Sequence, residues 1–442
     1  MRPDSYRKLP NGQIEIGGVS LKALAATYGT PLYILDYQTL IDRMRRFRDA
    51  LAGLNFRGRV MYAGKAFLCR AMVELVASEG LGLDVVSGGE LTTALRAGMD
   101  PGRIVFHGNV KTREEMALAL THRVGAIVVD SLDELRRLDE MARERSAVAP
   151  ILLRLTPGIE AHTHEFIRTG QFDSKFGFAL KDGIADEAVS MALDLSHVRL
   201  EGFHAHIGSQ ILEAEPFVAN AEALLQFSRG WWERTGFWPQ VLDVGGGFGV
   251  RYQAQDEPPE VEPLLRRVQE AFQRLTPPGE DVPELWLEPG RSIVAEAGCT
   301  LYTIESVKQV VDEKVYVAVD GGMGDNIRPA LYQAAYTAEV DGKPETSALR
   351  TVTVAGRYCE SGDILIKDAR LADPNVDDLL VVWGTGAYNY AMASTYNRVP
   401  RPAVVLVHDG EAFVWVERES WDDLVRLDRP LNLANSLNAS HG

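Results

Sequence analysis

Eight short apolar stretches recur along roughly the first two thirds of this chain, and their spacing limits the folds open to it more than any other feature. They are RVMYA from Arg59, GLDVVS from Gly82, RIVFHG from Arg103, AIVVD from Ala126, ILLRLTP from Ile151, EGFHAHIG from Glu201, VLDVGGG from Val241 and LWLEPG from Leu285. Helical patterns separate them: Leu68, Met72, Val73, Leu75 and Val76 follow the first stretch at the spacing of one helix face. Ser87 with Glu90, Thr112 with Glu115 and Ser131 with Glu134 match the S/T-x-x-E capping box that opens a helix. Eight strand–helix repeats predict an α/β fold, a (β/α)₈ barrel spanning residues 36–295, with an open doubly wound sheet as the alternative.

In a barrel of this kind the chemistry gathers at the carboxyl ends of the strands. The ends here are polar or glycine-rich: Lys65 after the first strand, Ser87-Gly-Gly-Glu90 after the second, His107-Gly-Asn109 after the third, His206-Ile-Gly-Ser209 after the sixth, Gly245-Gly246-Gly247 after the seventh and Glu288-Pro289-Gly290-Arg291 after the eighth. Beyond residue 300 the pattern becomes strands without regular helices, VYVAVD, TVTVAG, DILIKD, LLVVWG and a hairpin turning at Asp409-Gly410. Residues 296–442, joined by the early strands QIEIGG and PLYILD within residues 1–35, are therefore expected to form a second, all-β domain.

Acidic residues number 62 against 46 Lys plus Arg, a net charge of −16 with no basic run, which argues against nucleic acid and anionic membrane as partners. The three cysteines, Cys69, Cys299 and Cys359, form no C-x-x-C pair and read as free thiols in a reducing compartment. The first residues lack the apolar core of a signal peptide, and no run approaches the roughly 18 apolar residues of a membrane span. The expectation is a cytoplasmic protein.

Each candidate has a plain reading beside its chemical one. Lys65 could be a surface lysine in a loop. GGGFG could be a tight turn, or a loop whose N–H groups converge on a phosphate at the start of a helix; it matches neither G-x-G-x-x-G nor a P-loop. His204 and His206 share a strand face and could be structural, a metal pair or rings against a cofactor; a metal would need further ligands at strand ends, where only His107 offers itself, and no metal is expected. Glu288 and Arg291 could be a surface ion pair, or a carboxylate facing a pyridine nitrogen beside an anion-binding fork. Arg291 and Arg328 together point to an anionic substrate group. Cys359 could be an inert thiol; beside Glu360 it suits a proton donor better than a nucleophile. The run from Gly158 to Gly177 is a long connection of the functional kind.

Taken together, YAGKAF, LDVVSGGE, HGNVKT, THEFIRTGQFDSKFGF, HAHIGSQI, LDVGGGFG, EPGRSIV, DNIRPALY, CESGDILI and GAYNYAMASTYN, in this order from about residue 10 to 430, resemble diaminopimelate decarboxylase, a pyridoxal-phosphate enzyme of the alanine racemase-like fold type. The resemblance implies an N-terminal barrel, a C-terminal β domain, a homodimer with active sites at the subunit interface, and release of CO₂ from meso-diaminopimelate to give L-lysine. Carried over by position, Lys65 would hold pyridoxal 5'-phosphate as an imine and His206 would stack on its ring. The phosphate would rest on Ser209, on Gly245, Gly246 and Gly247, on the backbone of Glu288, Pro289, Gly290 and Arg291, and on Tyr388. Glu288 would face the ring nitrogen. Arg291, Arg328, Tyr332, Glu360 and Tyr388 would grip the amino-acid substrate, and the partner's Cys359 would return the proton. Gly324 stands in GGMGDN where many members have Asn.

An ordinary lysine, pKa near 10.4, is almost never neutral at pH 7, so the chemistry asks for burial or a neighbouring cation to lower that value. The far end of diaminopimelate is an amino acid, and recognising it takes a basic fork, Arg291 or Arg328, together with a carboxylate, Glu360. A decarboxylase of ornithine, arginine or a carboxylated polyamine, a catalytically silent cofactor-binding homologue and a metal-dependent barrel hydrolase are the rival readings.

Overall fold

The computed structural model describes residues 1–54, 57–159, 175–310 and 314–431. Eight parallel strands, Gly58–Ala63, Gly82–Val85, Ile104–Phe106, Ala126–Val129, Ala149–Thr156, Val198–His204, Val241–Asp243 and Glu284–Leu287, pair in succession. The eighth pairs with the first, so the sheet closes and the open alternative is ruled out. Each stretch that the apolar pattern marks as a barrel strand is one.

Period-2 alternation explains how the barrel separates packing from chemistry. Met61, Val105, Val128, Leu152, Val241 and Trp286 form an apolar cluster of their own, distinct from the main core that includes Tyr62, Phe106 and Phe203. A side chain at Gly82 would meet the Met61 sulfur at 2.1 Å, and one at Gly202 would meet the Val241 carbonyl at 1.8 Å, so both glycines make room inside. Two residues further along seven of those strands the same face turns polar, with Asp84, His107, Asp130, Arg154, His204, Asp243 and Glu288 all buried, while the first strand has Ala63 at that level. A polar ring therefore sits on an apolar plug, at the end from which Lys65 emerges.

Helix starts follow the capping signals with one difference. Thr112 and Glu115 form the full reciprocal box. Ser87 and Ser131 each accept from the N–H three residues on, but Glu90 and Glu134 take the N–H of Val86 and Asp130 instead. Glu134 is also held by buried Lys111, which donates to the carbonyls of Gly108 and Val128 as well.

A second sheet runs in the order Ile364–Ala372, Leu349–Ala355, Val315–Val319, Gly298–Gln309, Leu32–Asp36, Ala403–His408, Glu411–Val416. PLYILD lies in its middle, antiparallel to Gly298–Leu301 and parallel to Ala403–Val407, which joins the two ends of the chain. QIEIGG departs from the expectation: Ile14–Ile16 pairs with Arg7–Lys8 and Val19–Ser20 in a separate three-stranded sheet. It joins the β region through side chains, with Ile14 and Ile16 buried among Leu32, Leu301, Trp383 and Val405. The hairpin turns at Asp409 and Gly410, both at positive φ, as a two-residue turn between twisted strands requires. The 12-residue strand Gly298–Gln309, central to this sheet, has no counterpart among the strands read from the sequence. Among the described residues no helix is long and apolar enough to cross a membrane.

Candidate active site

Lys65 sits in the single helical turn Gly64–Ala66 that follows the first barrel strand. Gly290 packs against that turn, where a Cβ would lie 2.9 Å from Ala63 Cβ and 3.1 Å from Ala66 Cβ, and the Pro289 carbonyl accepts from Ala63 N–H at 3.1 Å. Tyr388, at φ 61°, donates its N–H to the Ala66 carbonyl at 2.8 Å and so ties the C-terminal half to the lysine turn. The charge state of Lys65 differs from the expectation. Burial pulls the ammonium down, but the Asp84 carboxylate, Tyr388 and Glu288 raise it by more, and the net direction is upward. The reason is the polar ring, whose acidic members lie just below the amine.

Glu288 occupies the centre of that ring. His204 Nε2 lies 3.3 Å from Oε2, and since a carboxylate only accepts, this nitrogen is the donor. His107 Nε2 lies 2.5 Å from Oε1, close but out of line for a hydrogen bond. Burial opposes ionisation of Glu288, yet the two rings hold its carboxyl well below the usual range. Burial brings His204 down to about 3, so this ring is neutral and acts as a dipole. Asp243 is driven the other way by burial and by Glu288, and its Oδ1 accepts from Gly245 N–H at 2.8 Å. Ligand atoms of His107, His204, Asp243 and Glu288 lie within 4.8 Å of one another, a quartet that sequence spacing does not reveal.

His206 takes no part in that quartet. Its Nδ1 accepts from Gly246 N–H at 3.2 Å, and burial with the neighbouring Lys65 charge lowers its pKa. Two of the three glycine N–H groups are thus engaged, Gly245 by Asp243 and Gly246 by His206. No helix starts directly after the loop either; the next runs Val261–Leu275. The loop is also closely packed: a Cβ at Gly246 would lie 2.1 Å from the Glu288 carbonyl oxygen and one at Gly247 2.5 Å from that of Gly208.

Arg291 and Arg328 are both buried. Arg291 donates to Ser209 Oγ and to Tyr252 Oη, each at 2.9 Å, and stacks over the Tyr388 ring at 4.8 Å. Arg328 donates to the same Tyr252 oxygen at 3.2 Å and to Tyr336 Oη at 2.5 Å. Neither guanidinium has a carboxylate within 4.0 Å among the described residues. Tyr332 lies half-buried in the same short helix as Arg328.

Cys359 and Glu360 are exposed on the turn between Leu349–Ala355 and Ile364–Ala372, where Cys359 N–H donates to Asn397 and Glu360 bonds only its own turn. Among the described residues neither side chain forms an ion pair or hydrogen bond with Lys65 or with the polar ring. Tyr358 accounts for Gly324: a Cβ there would lie 2.0 Å from the Tyr358 hydroxyl, so the ring occupies the space of a side chain. The connection 158–177 lies for the most part outside the described residues; at its far end Gly177 N–H donates to Asp130 at 2.9 Å and Phe176 lies under Arg154 at 4.3 Å. Sequence reasoning missed Asp84, Arg154, Asp243 and Tyr252. The signal for Arg154 and Asp243 was present, a polar residue two places after an inward apolar one, and for Asp84 the inward position is Gly82.

These residues suit pyridoxal phosphate. A lone amine stands beside a buried carboxylate whose Oε1 has no hydrogen-bond partner, and a buried arginine has its Nε unpaired. The family model "Pyridoxal-dependent decarboxylase, pyridoxal binding domain" matches residues 37–295. The chain is 49% identical to diaminopimelate decarboxylase of Bacillus subtilis over 96% of its length and 97% of the relative's, and 43% identical to that of Staphylococcus aureus over 94% and 97%. The crystal structure of the M. jannaschii enzyme superposes with a TM-score of 0.91 at 33% identity, covering 97% of this chain and 98% of the other. The lysine/ornithine decarboxylase of Vibrio vulnificus, at 22% identity and a TM-score of 0.74, shares the fold. On this combination of near full-length identity, closed barrel and pyridoxal-binding domain, the chain belongs to the diaminopimelate decarboxylase family.

Proposed function

We propose that this chain decarboxylates meso-diaminopimelate to L-lysine at a site completed by a second copy, with residues 36–295 as the cofactor-binding barrel and residues 1–35 with 296–442 as the β domain. The observation that carries the reading is the pair of buried guanidiniums, Arg291 and Arg328, without a carboxylate of their own. A substrate whose far end carries a carboxylate supplies what they lack. A substrate ending in a bare ammonium would leave a buried cation facing another, and unpaired buried polar groups can cost about 10⁴ in discrimination. The M. jannaschii relative crystallised with L-lysine fits a site that recognises an amino acid.

Pyridoxal phosphate, when bound, supplies the electron-accepting ring that makes loss of the carboxylate feasible. Lys65 would be its point of attachment, and the charged state of that amine defines the first task, since a proton must leave Nζ before it can act as a nucleophile. Asp84, the strongest raising influence on that proton, would be the group to receive it. Glu288 is held ionised by His107 and His204 and would stabilise a protonated ring nitrogen. Ser209, Gly245, Gly246 and Gly247, the backbone of Glu288, Pro289, Gly290 and Arg291, and Tyr388 would hold the phosphate, and His206, whose Nδ1 accepts from Gly246 N–H, would lie against the ring. Cys359 of the partner subunit would be the proton donor, and Glu360 of the partner subunit would take the substrate's distal ammonium. The exposure of both on the isolated chain supports that assignment.

The test is CO₂ release and lysine formation from meso-diaminopimelate, run beside ornithine, arginine and L-lysine. Selective turnover of diaminopimelate is expected. Faster release from ornithine would reverse the substrate assignment.

A further inference from the structure

The hydroxyl of Tyr252 joins the two buried arginines and belongs to none of the motifs discussed above. It accepts from Arg291 at 2.9 Å and from Arg328 at 3.2 Å, and both guanidiniums also lie over its ring, at 5.7 and 5.1 Å. The two cations come from different parts of the fold. Arg291 opens the short helix after the eighth barrel strand, and Arg328 opens Arg328–Tyr332 in the β region. Resting on the proposed decarboxylase reading, we propose that Tyr252 is a positioning and specificity-determining residue that sets the two guanidiniums into one cradle for the substrate's carboxylate.

Three observations support it. First, the phenol is held from behind: Asp256 accepts from the N–H groups of Tyr252 and Gln253 at 2.9 and 2.8 Å, and Arg251 Nε donates to the Asp256 carbonyl at 2.9 Å. Just upstream, Gln210 and Val250 exchange two hydrogen bonds, so the segment is fastened to the loop after the sixth strand. Second, the acceptor type matters. A carboxylate at this place would neutralise the arginines and compete with substrate, whereas a phenol accepts from both while supplying far less counter-charge. Third, the hydroxyl responds to its neighbours: burial favours the neutral phenol, yet Arg328 and Arg291 draw its pKa below the ordinary value. The oxygen therefore feels both cations together.

The test compares two inhibitors of the cofactor-loaded enzyme, L-lysine, which keeps one carboxylate, and cadaverine, which has none. In Tyr252→Phe the ring stays and one oxygen goes, so each guanidinium loses a charge-assisted hydrogen bond; lysine inhibition and KM for diaminopimelate should weaken about tenfold or more, with kcat changed less. Cadaverine inhibition and the cofactor absorbance should be unchanged. Should Tyr252→Phe fail to fold, Asp256→Ala, which frees the turn but keeps the hydroxyl, must give the same carboxylate-selective loss. Equal weakening of lysine and cadaverine in either variant, or parent lysine affinity in Tyr252→Phe, overturns the assignment. A parent enzyme that neither turns over diaminopimelate nor binds lysine would overturn the decarboxylase reading as well, a result the variants alone cannot produce.

Discussion

Replacing Gly246 by alanine tests whether the triple-glycine loop serves close packing at the cofactor pocket. The added Cβ would lie 2.1 Å from the Glu288 carbonyl oxygen and 3.0 Å from its carbon, over an ångström short of ordinary contact for the oxygen, which begins at 3.4 Å. Both clashing atoms are backbone and cannot swing away. Glu288 N–H donates to the Gly245 carbonyl at 2.9 Å, so the two strand ends are tied where they would have to part. Overpacking of this kind costs about 1–3 kcal/mol. The strain falls on the residue whose carboxylate must stay aligned with His107 and His204, so cofactor affinity should drop by about 5- to 150-fold, the same energy expressed as a ratio. Gly230, inside the helix Glu215–Thr235, is the control, because an added methyl there would meet nothing within 4 Å. Gly230→Ala should gain about 0.5–1 kcal/mol. Urea unfolding and spectrophotometric titration with pyridoxal phosphate measure the two effects. If Gly246→Ala binds cofactor as tightly as the parent, the packing account of the loop is wrong.

Three further outcomes are expected. Mixing Lys65→Ala with Cys359→Ala protein should restore part of the activity that each lacks, since hybrid dimers contain one whole site; no recovery while subunits demonstrably exchange would mean that each chain completes its own. Gly324→Asn should cost about 1–3 kcal/mol through the buried Tyr358 ring, which stacks on Tyr396 at 5.9 Å, and should slow turnover through the adjacent Cys359; combined with Tyr358→Ala the costs should fail to add, and simple additivity would refute the contact. Burial lifts Asp325 to about 7 from 3.8, against hydrogen bonds from Tyr302 and Gly322 N–H. The folded state therefore holds this proton where the unfolded state has released it, and the stabilisation, complete below pH 3.8, is lost as pH rises to about 7, at about 1.4 kcal/mol per pH unit. Asp325→Asn does not titrate, so relative to the parent it should gain about 2–3 kcal/mol between pH 5 and pH 8 in urea unfolding. A pH-independent difference would contradict the raised carboxyl.

The barrel was legible because its strands are local: each apolar run, its helix and its turn lie within a few tens of residues, and period-2 and period-3.6 patterns record which face is buried. Lys65, Glu288, Arg291 and Arg328 were legible as strand-end or motif residues. The protonation of Lys65 was not, because it depends on Asp84, brought alongside by pairing of the first two barrel strands, and on Glu288, which reaches it only when the sheet closes. The same closure carries His107, His204, Asp243 and Glu288 into one quartet from four strands. Tyr252 has no periodic signal, since its partners lie 39 and 76 residues away and come together through tertiary packing. By itself the sequence determined the order of elements and the supply of reactive groups, which are set by nearest-neighbour patterning. Which charges face each other, which N–H groups are already engaged and where Cys359 stands relative to Lys65 were decided by the fold, because electrostatic energy depends on distance through space and the chain's own order does not encode it.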